Sequence, residues 1–358
     1  MYFKRVCTLF FPILMCGLVF SGCSFKSVNA NNTVRRVKIG FSMDTLKEER
    51  WYKDKTDFVS QAKKQNADTL VEVDYDNSDK QYEQVKDMVS KGIDVLVIVP
   101  HDTKIAADAV KYAKGKGVKV ICYDRLVSNA GADLYISFDN VKVGELQADS
   151  IVKSVNNGNY VIVNGPSADY NTVMIDKGIM NVLEPYVKSG KIKIIKQIEV
   201  SDWMADEAYA CIANLINGGE KIDAVIAEND SLAGGVIDAL SEKRLISSVP
   251  VAGMDADLAA CQRIAEGQQL MTVFKPIGKR ASAAVDYAVK MAKGEKIDIK
   301  DQINDGTYDI PYYKIKPVAV TKENMASTVI KDGFHSTDEV YMNIPQSERS
   351  PAKQKKQQ

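Results

Sequence analysis

Between Gly92 and Asn140 the chain reads GIDVLVIVP, HDTKIAADAVKYAKGKG, VKVICYDR and, after a short loop, LYISFDN. Three runs rich in Val and Ile each break off at polar residues, and Ile105, Ala109 and Ala113 recur with a helical period between the first two. Short continuous apolar runs bounded by polar residues read as buried strands, and the periodic segment reads as the helix joining them. Strand, crossover helix, strand, strand is the grammar of a parallel sheet covered on both faces. In such sheets ligands bind beyond the carboxyl ends of the strands. Pro100, His101, Asp124, Arg125, Asp139 and Asn140 stand at those ends.

The same grammar runs through the chain. VKIGFSMD is a strand ending at Asp44, LKEERWYKDKTDFVSQAKKQN a helix with Trp51, Phe58 and Ala62 inward, TLVEVDYD a strand, and 79–91 a helix. After Asn140 it begins again: helix 141–155, strand YVIVNG, helix 171–189, strand IKIIKQIEV, helix 205–217, strand DAVIAEN, helix 231–243, strand VPVAGMD, helix 257–266 and strand LMTVFK. The fold class expected is α/β, with two similar doubly wound parallel-sheet lobes. A helix from Gly278 to Lys293 has no strand of the second set left to serve, so it is expected to return to the first lobe. The lobes would then be joined by a three-segment hinge near 138–140, 274–277 and Asp305. That places 36–139 with 277–305 in an N-terminal lobe and 140–276 with 306–335 in a C-terminal lobe, followed by a polar tail, 336–358, expected to be disordered.

Residues 1–23 read as a targeting signal, with Lys4 and Arg5 ahead of an apolar run that ends in small residues before Cys23. VFSGC resembles a bacterial lipoprotein box, in which Cys23 is lipidated and becomes the mature N-terminus; a simple N-terminal membrane anchor is the alternative. Both put the protein outside the cytoplasm, tethered through the flexible segment 24–35. Past Cys23 only Cys122, Cys211 and Cys261 remain, each in an apolar pattern, which reads as small buried hydrophobes instead of a disulfide framework. With two histidines and no Cys-x-x-Cys pair, no metal site is expected, and no cofactor. The 47 basic residues balance 47 acidic ones, so nothing points to nucleic acid as a partner.

Collected from the strand ends, the polar residues are Asp44 with Arg50 and Trp51, Asp124 and Arg125, Asp169 and Asn171, Asp202 and Trp203, Asn229 and Asp230, Asp255, and Lys275. A sugar offers apolar C–H faces and a rim of hydroxyls. Aromatic rings suit the faces, and carboxylates, amides and guanidinium forks suit the rim. Each residue has a plainer use: Asp and Asn after a strand also serve as helix N-caps, and Trp51 could be core. Nucleotide binding lacks its glycine-rich phosphate cradle. DYDNSD at 74–79 fails the calcium-loop pattern at Asp79 and Val85. Glu48, Glu49 and Glu228 have no spacing that makes them a glycosidase pair.

The segments LKEERWYKD, GIDVLVIVP, VICYDR, YISFDNVKVGELQA, EPYVKSGKIK, KIDAVIAEND, GMDADLAA, TVFKPI and VIKDGFH, spread over about residues 37 to 335, resemble the D-xylose-binding family within the ribose- and galactose-binding group of ABC-transporter solute receptors. The resemblance implies the type I periplasmic-binding-protein fold and no enzyme activity. Its sugar contacts fall on Arg50, Trp51, Asp124, Arg125, Asn171, Trp203, Asn229, Asp255 and Lys275, with both tryptophans stacking on the ring. Tyr170 stands where the family often has a second Asn. D-xylose would enter between open lobes, closure would complete its hydrogen bonds, and the closed form would be read by an ABC permease or by the extracellular domain of a sensor kinase. A cytoplasmic repressor of this fold would need an N-terminal helix-turn-helix where the secretion signal stands.

Overall fold

The computed structural model describes residues 35–347 and 349. The signal segment with Cys23, the tether up to residue 34 and the last residues of the tail lie outside the described residues. The described residues from Arg36 onward form one compact unit.

Its first half alternates β1 (Lys38–Met43), α1 (Glu49–Lys64), β2 (Asp68–Val73), α2 (Ser78–Ser90), β3 (Val95–Ile98), α3 (Ala107–Gly115), β4 (Lys119–Tyr123) and β5 (Leu134–Phe138). The five strands run parallel in the order β2-β1-β3-β4-β5. Every residue of VLVI in β3 is buried, because alternate side chains enter the cores on opposite faces of the sheet. Val95 and Val97 join Ile39, Phe41, Trp51 and Phe58 on one face. Leu96 and Ile98 join Val85 and Val110 on the other.

The second half repeats the plan with α4 (Asn140–Ser154), β6 (Gly158–Asn164), α5 (Tyr170–Lys188), β7 (Ile192–Glu199), α6 (Ala205–Asn217), β8 (Ala224–Ala227), α7 (Asp230–Glu242), β9 (Val251–Ala252), α8 (Leu258–Glu266) and β10 (Thr272–Phe274). Its parallel sheet has the order β7-β6-β8-β9, and a parallel bridge from Ala252 to Met271 carries it on toward β10. Both sheets therefore reverse direction at one point, between β1 and β3 and between β6 and β8. The doubly wound α/β architecture read from the sequence is the one observed.

The helix that follows, α9 (Ile277–Ala292), packs on α1 and puts Ala281, Ala284, Val285 and Ala288 into the core of the first sheet. Beyond it the structure departs from expectation. β11 (Gln302–Asn304) and β12 (Asp309–Ile315) extend the first sheet, with β12 parallel to β5 from Tyr312 to Ile315. The chain thus leaves this sheet after Ile315, not near Asp305. Pro311 obscured the strand in the sequence; it lies outside the ladder with β5 and faces the short edge strand instead. β13 (Val318–Val320) then pairs antiparallel with β10. The segment after His335 is not a disordered tail at its start, because α10 (Thr337–Val340) has a capping box from Ser336 and Glu339. Val340 and Tyr341 are buried against Cys261, Phe274, Met325 and Val329.

Cys122, Cys211 and Cys261 are free thiols; Cys211 is only half-buried, because it sits on the side of α6 between core and solvent. Among the described residues no helix is long and apolar enough to cross a membrane.

Candidate functional site

The carboxyl ends of the two sheets share a narrow cavity lined by Glu48, Arg50, Arg125, Asp169, Asn171, Trp203, Asn229, Met254, Asp255 and Lys275. Seven of the nine candidates taken from the sequence are on that wall. Trp51 and Asp124 stand directly behind it.

Arg50 opens the first turn of α1 and is buried, with its guanidinium forked onto Asp124 at 3.3 and 3.1 Å. Its Nε lies 3.7 Å from Asp255 Oδ2, and Lys275 Nζ is 2.7 Å from Asp255 Oδ1. Burial pushes the Asp255 carboxyl up, but Lys275 and Arg50 outweigh it and hold the group below the usual carboxylate range. Burial also draws the Lys275 ammonium below its ordinary value, incompletely offset by Asp255. Arg125 pairs with Asp44, donates to the Pro100 carbonyl at 3.2 Å, and reaches Asp169 of the second lobe with Nε at 2.8 Å. Burial raises Asp44, yet Arg125 and His101 more than compensate, so it too is held low.

Two residues do double duty. Asn229 Oδ1 accepts from Leu232 N at 2.8 Å as the N-cap of α7, which leaves its amide N–H groups for the cavity. Asp169 caps α5 through Asn171 N at 2.9 Å while its other oxygen meets Arg125. Asn171 Oδ1 takes the Asn140 amide at 2.7 Å, which orients its own N–H groups away from that neighbour.

The tryptophans differ. Trp203 lines the cavity, half-buried against the β6 and β8 side chains. Gly165 makes this possible, since a Cβ there would lie 2.4 to 2.6 Å from three atoms of the indole. Trp51 is fully buried in the first-lobe core, and the Arg50 guanidinium covers its ring at 3.9 Å. Stacking of Trp51 on a ligand ring is therefore not the arrangement seen; Arg50 already occupies that face. Backbone strain gathers here as well: Asp124 (φ 64°), Asp202 (φ 46°), Trp203 (φ 57°) and Asp255 (φ 102°) are all left-handed without being glycine. Such residues cost of order 1–3 kcal/mol each and persist where the surroundings over-determine them, as at binding sites.

Sequence reasoning missed Glu48, weighed only as part of a glycosidase pair, and Met254, two residues past β9. It also missed Asp54 and Arg280 behind the wall, although both interrupt otherwise apolar helical stripes. His101 bonds Asp44 through Nδ1 at 2.9 Å. Asp44, Asp76 and His101 bring one ligand atom each within 4.8 Å of one another. Arg125 already neutralises Asp44, and Lys47 meets Asp76 at 2.8 Å, so the group does not have the donor set of a cation site.

Residues 39–296 match the periplasmic binding protein domain. A D-xylose-binding periplasmic protein of Haemophilus influenzae is 44% identical over 306 residues, covering 85% of this chain and 92% of that one. Its counterpart from Escherichia coli is 43% identical over 318 residues, covering 88% and 96%. An ABC transporter solute-binding protein from Clostridium phytofermentans, solved with bound β-D-glucose, superposes with a TM-score of 0.79 at 28% identity over 85% of this chain and 99% of that one. These relatives bind and carry sugars outside the cytoplasm and are not enzymes. The chain belongs to the periplasmic binding protein family and, within it, to the D-xylose-binding periplasmic proteins.

Proposed function

We propose that the cavity binds one D-xylose between the lobes and that the closed form hands it to an ABC permease. The observation that carries this reading is the enclosed, charge-balanced wall: Arg50, Arg125 and Lys275 stand against Glu48, Asp169 and Asp255. A balanced wall suits a neutral ligand. A phosphorylated or carboxylated sugar would leave one charge uncompensated in a buried site. Each guanidinium has more N–H donors than its ion pairs use, and the amides of Asn171 and Asn229 add further donors, so a ring of hydroxyls can be satisfied. Trp203 supplies the flat face for the C–H side of the ring. Arg50 and Arg125 come from the first lobe, while Asn171, Trp203, Asn229, Asp255 and Lys275 come from the second. A ligand touching both groups favours closure, because only the closed form makes all its hydrogen bonds. Trp51 and Asp124 then act from behind, holding Arg50.

Lipidation of Cys23 would keep the receptor at the membrane face where the permease sits. Tryptophan fluorescence titrated with D-xylose, ribose, glucose and arabinose tests the ligand. Xylose should saturate the change at the lowest concentration, and Trp203→Ala should weaken it while circular dichroism stays native. A response to another sugar alone would reject the assignment. Capture of a sensor kinase in place of a permease by the sugar-loaded protein would move the role from delivery to sensing.

A further inference from the structure

We infer that Arg280, which does not touch the cavity, is a positioning residue for sugar binding: from α9 it holds Asp124, and Asp124 in turn aims Arg50 at the ligand. This rests on the reading of the cavity as the sugar site.

Arg280 is 0% exposed and lies between two carboxylates from different elements. One nitrogen meets Asp54 Oδ2 of α1 at 2.6 Å, and the other pairs with Asp124 Oδ1 at the end of β4. Its guanidinium is also sandwiched by the rings of Tyr123, at 4.6 Å, and Phe138, at 4.9 Å, which fixes its plane. The Tyr123 hydroxyl donates to Asp54, so the second carboxylate is itself anchored. Asp124 is thus gripped from behind by Arg280 and forks in front onto Arg50. A bidentate fork transmits orientation, since both nitrogens of Arg50 must share the plane of the carboxylate.

The Asp124 backbone is left-handed at φ 64°, and a non-glycine residue keeps that conformation only where its contacts enforce it. The backbone is held by Asp124 N donating to the Ile136 carbonyl at 2.9 Å and by the Tyr135 and Ser137 hydroxyls donating to the Asp124 carbonyl at 2.8 and 2.7 Å, which leaves the carboxylate to be aimed by Arg280, one turn into α9, the first element after the chain crosses back from β10 to the first lobe. The chain of contacts therefore runs from that crossing through Arg280, Asp124 and Arg50 to Asp255 in the second lobe.

Stability alone is a poor reason for this charge. Apolar residues occupy the rest of the buried face of α9, among them Ile277, Ala281, Ala284 and Ala288. Replacing a buried ion pair by apolar residues of similar volume is often neutral or stabilising. A buried guanidinium on that stripe is explained by what it orients.

The test is calorimetric titration with D-xylose, with thermal unfolding measured alongside. Arg280→Lys keeps the charge but cannot present separate nitrogens to both carboxylates. It should weaken binding about tenfold or more. In an Arg50→Lys background the same change should add little, because both substitutions act on one fork, so the cycle is non-additive. Asp54→Leu combined with Arg280→Met replaces the rear pair by apolar volume, keeps the fold, and should still lose affinity. Wild-type affinity in that double variant, or a fully additive Lys cycle, would overturn the positioning role while leaving the sugar site standing. No xylose binding by the unaltered protein would overturn both.

Discussion

Gly165 follows β6 beneath the Trp203 indole, and its one missing methyl group can be used to measure what that ring does. In Gly165→Ala the new Cβ would sit 2.4 to 2.6 Å from three ring atoms. Carbon atoms in contact prefer about 3.5–4.0 Å, so the ring must retreat by roughly 1 Å. Gly165 is not among the left-handed glycines, so alanine meets no backbone penalty. The loop cannot yield instead, because Gly165 N is held by the buried Glu228 carboxyl at 2.7 Å. The open side of the ring is the cavity, and there the ring will go. Overpacking of this kind costs about 1–3 kcal/mol. When the strained group relaxes into the space a ligand needs, that cost appears in affinity, as a roughly 5- to 150-fold rise in Kd for xylose. Calorimetry gives the Kd, and the melting temperature should move by no more than a few degrees. A variant that binds as tightly as the unaltered protein would refute the claim that Trp203 sets one wall of the sugar site. A large loss of stability with normal affinity would show that the ring is core.

Two further outcomes follow from groups around the site. Burial pushes the Glu228 carboxyl up to about 8, so it is neutral in the folded protein near pH 7 and charged once unfolded. A group whose pKa is raised on folding contributes stability that is full below its unfolded value and is lost as pH rises through the folded one. Glu228→Gln should therefore flatten the fall in unfolding free energy between roughly pH 4.5 and 8 relative to the unaltered protein, as read from urea melts. Asp74 and Asp230, both raised to about 7, keep part of the slope in either protein, and an identical slope in both would clear Glu228 of the effect. In the core built by α8, Phe274 and the segment after β13, Tyr341→Ala should cost about 3–5 kcal/mol if its ring is core, as large aromatic truncations do. A change near zero in denaturant unfolding would return the segment after His335 to the status of a loose tail.

Much of the fold was legible because each strand is buried on both faces and breaks off sharply, and each helix carries a period of apolar residues. The repeated order of the two sheets follows from that alternation. β12 escaped because a strand is defined by its neighbour: Pro311 spoils the local pattern, while the partner, β5, is far away in sequence. α10 escaped because its four residues bury only Val340. Its stability comes from a cap and from a core assembled by distant segments.

The candidate site shows the same division. Residue type at the strand ends was enough to nominate eight of the residues that line the cavity, even though some of them, such as Asp169 and Asn229, also cap the helix that follows. Which of them face a ligand and which stand behind was not encoded in type or spacing. Trp51 and Trp203 have the same chemistry and both follow strand ends, yet one is under a guanidinium and the other on the wall. The left-handed turns at Asp124, Trp203 and Asp255 and the grip of Arg280 on Asp124 decide that. Local sequence determines what each segment can form, through periodicity and side-chain chemistry. The direction in which a buried charge points is a balance among partners brought together from both halves of the chain, and only the folded molecule supplies those partners.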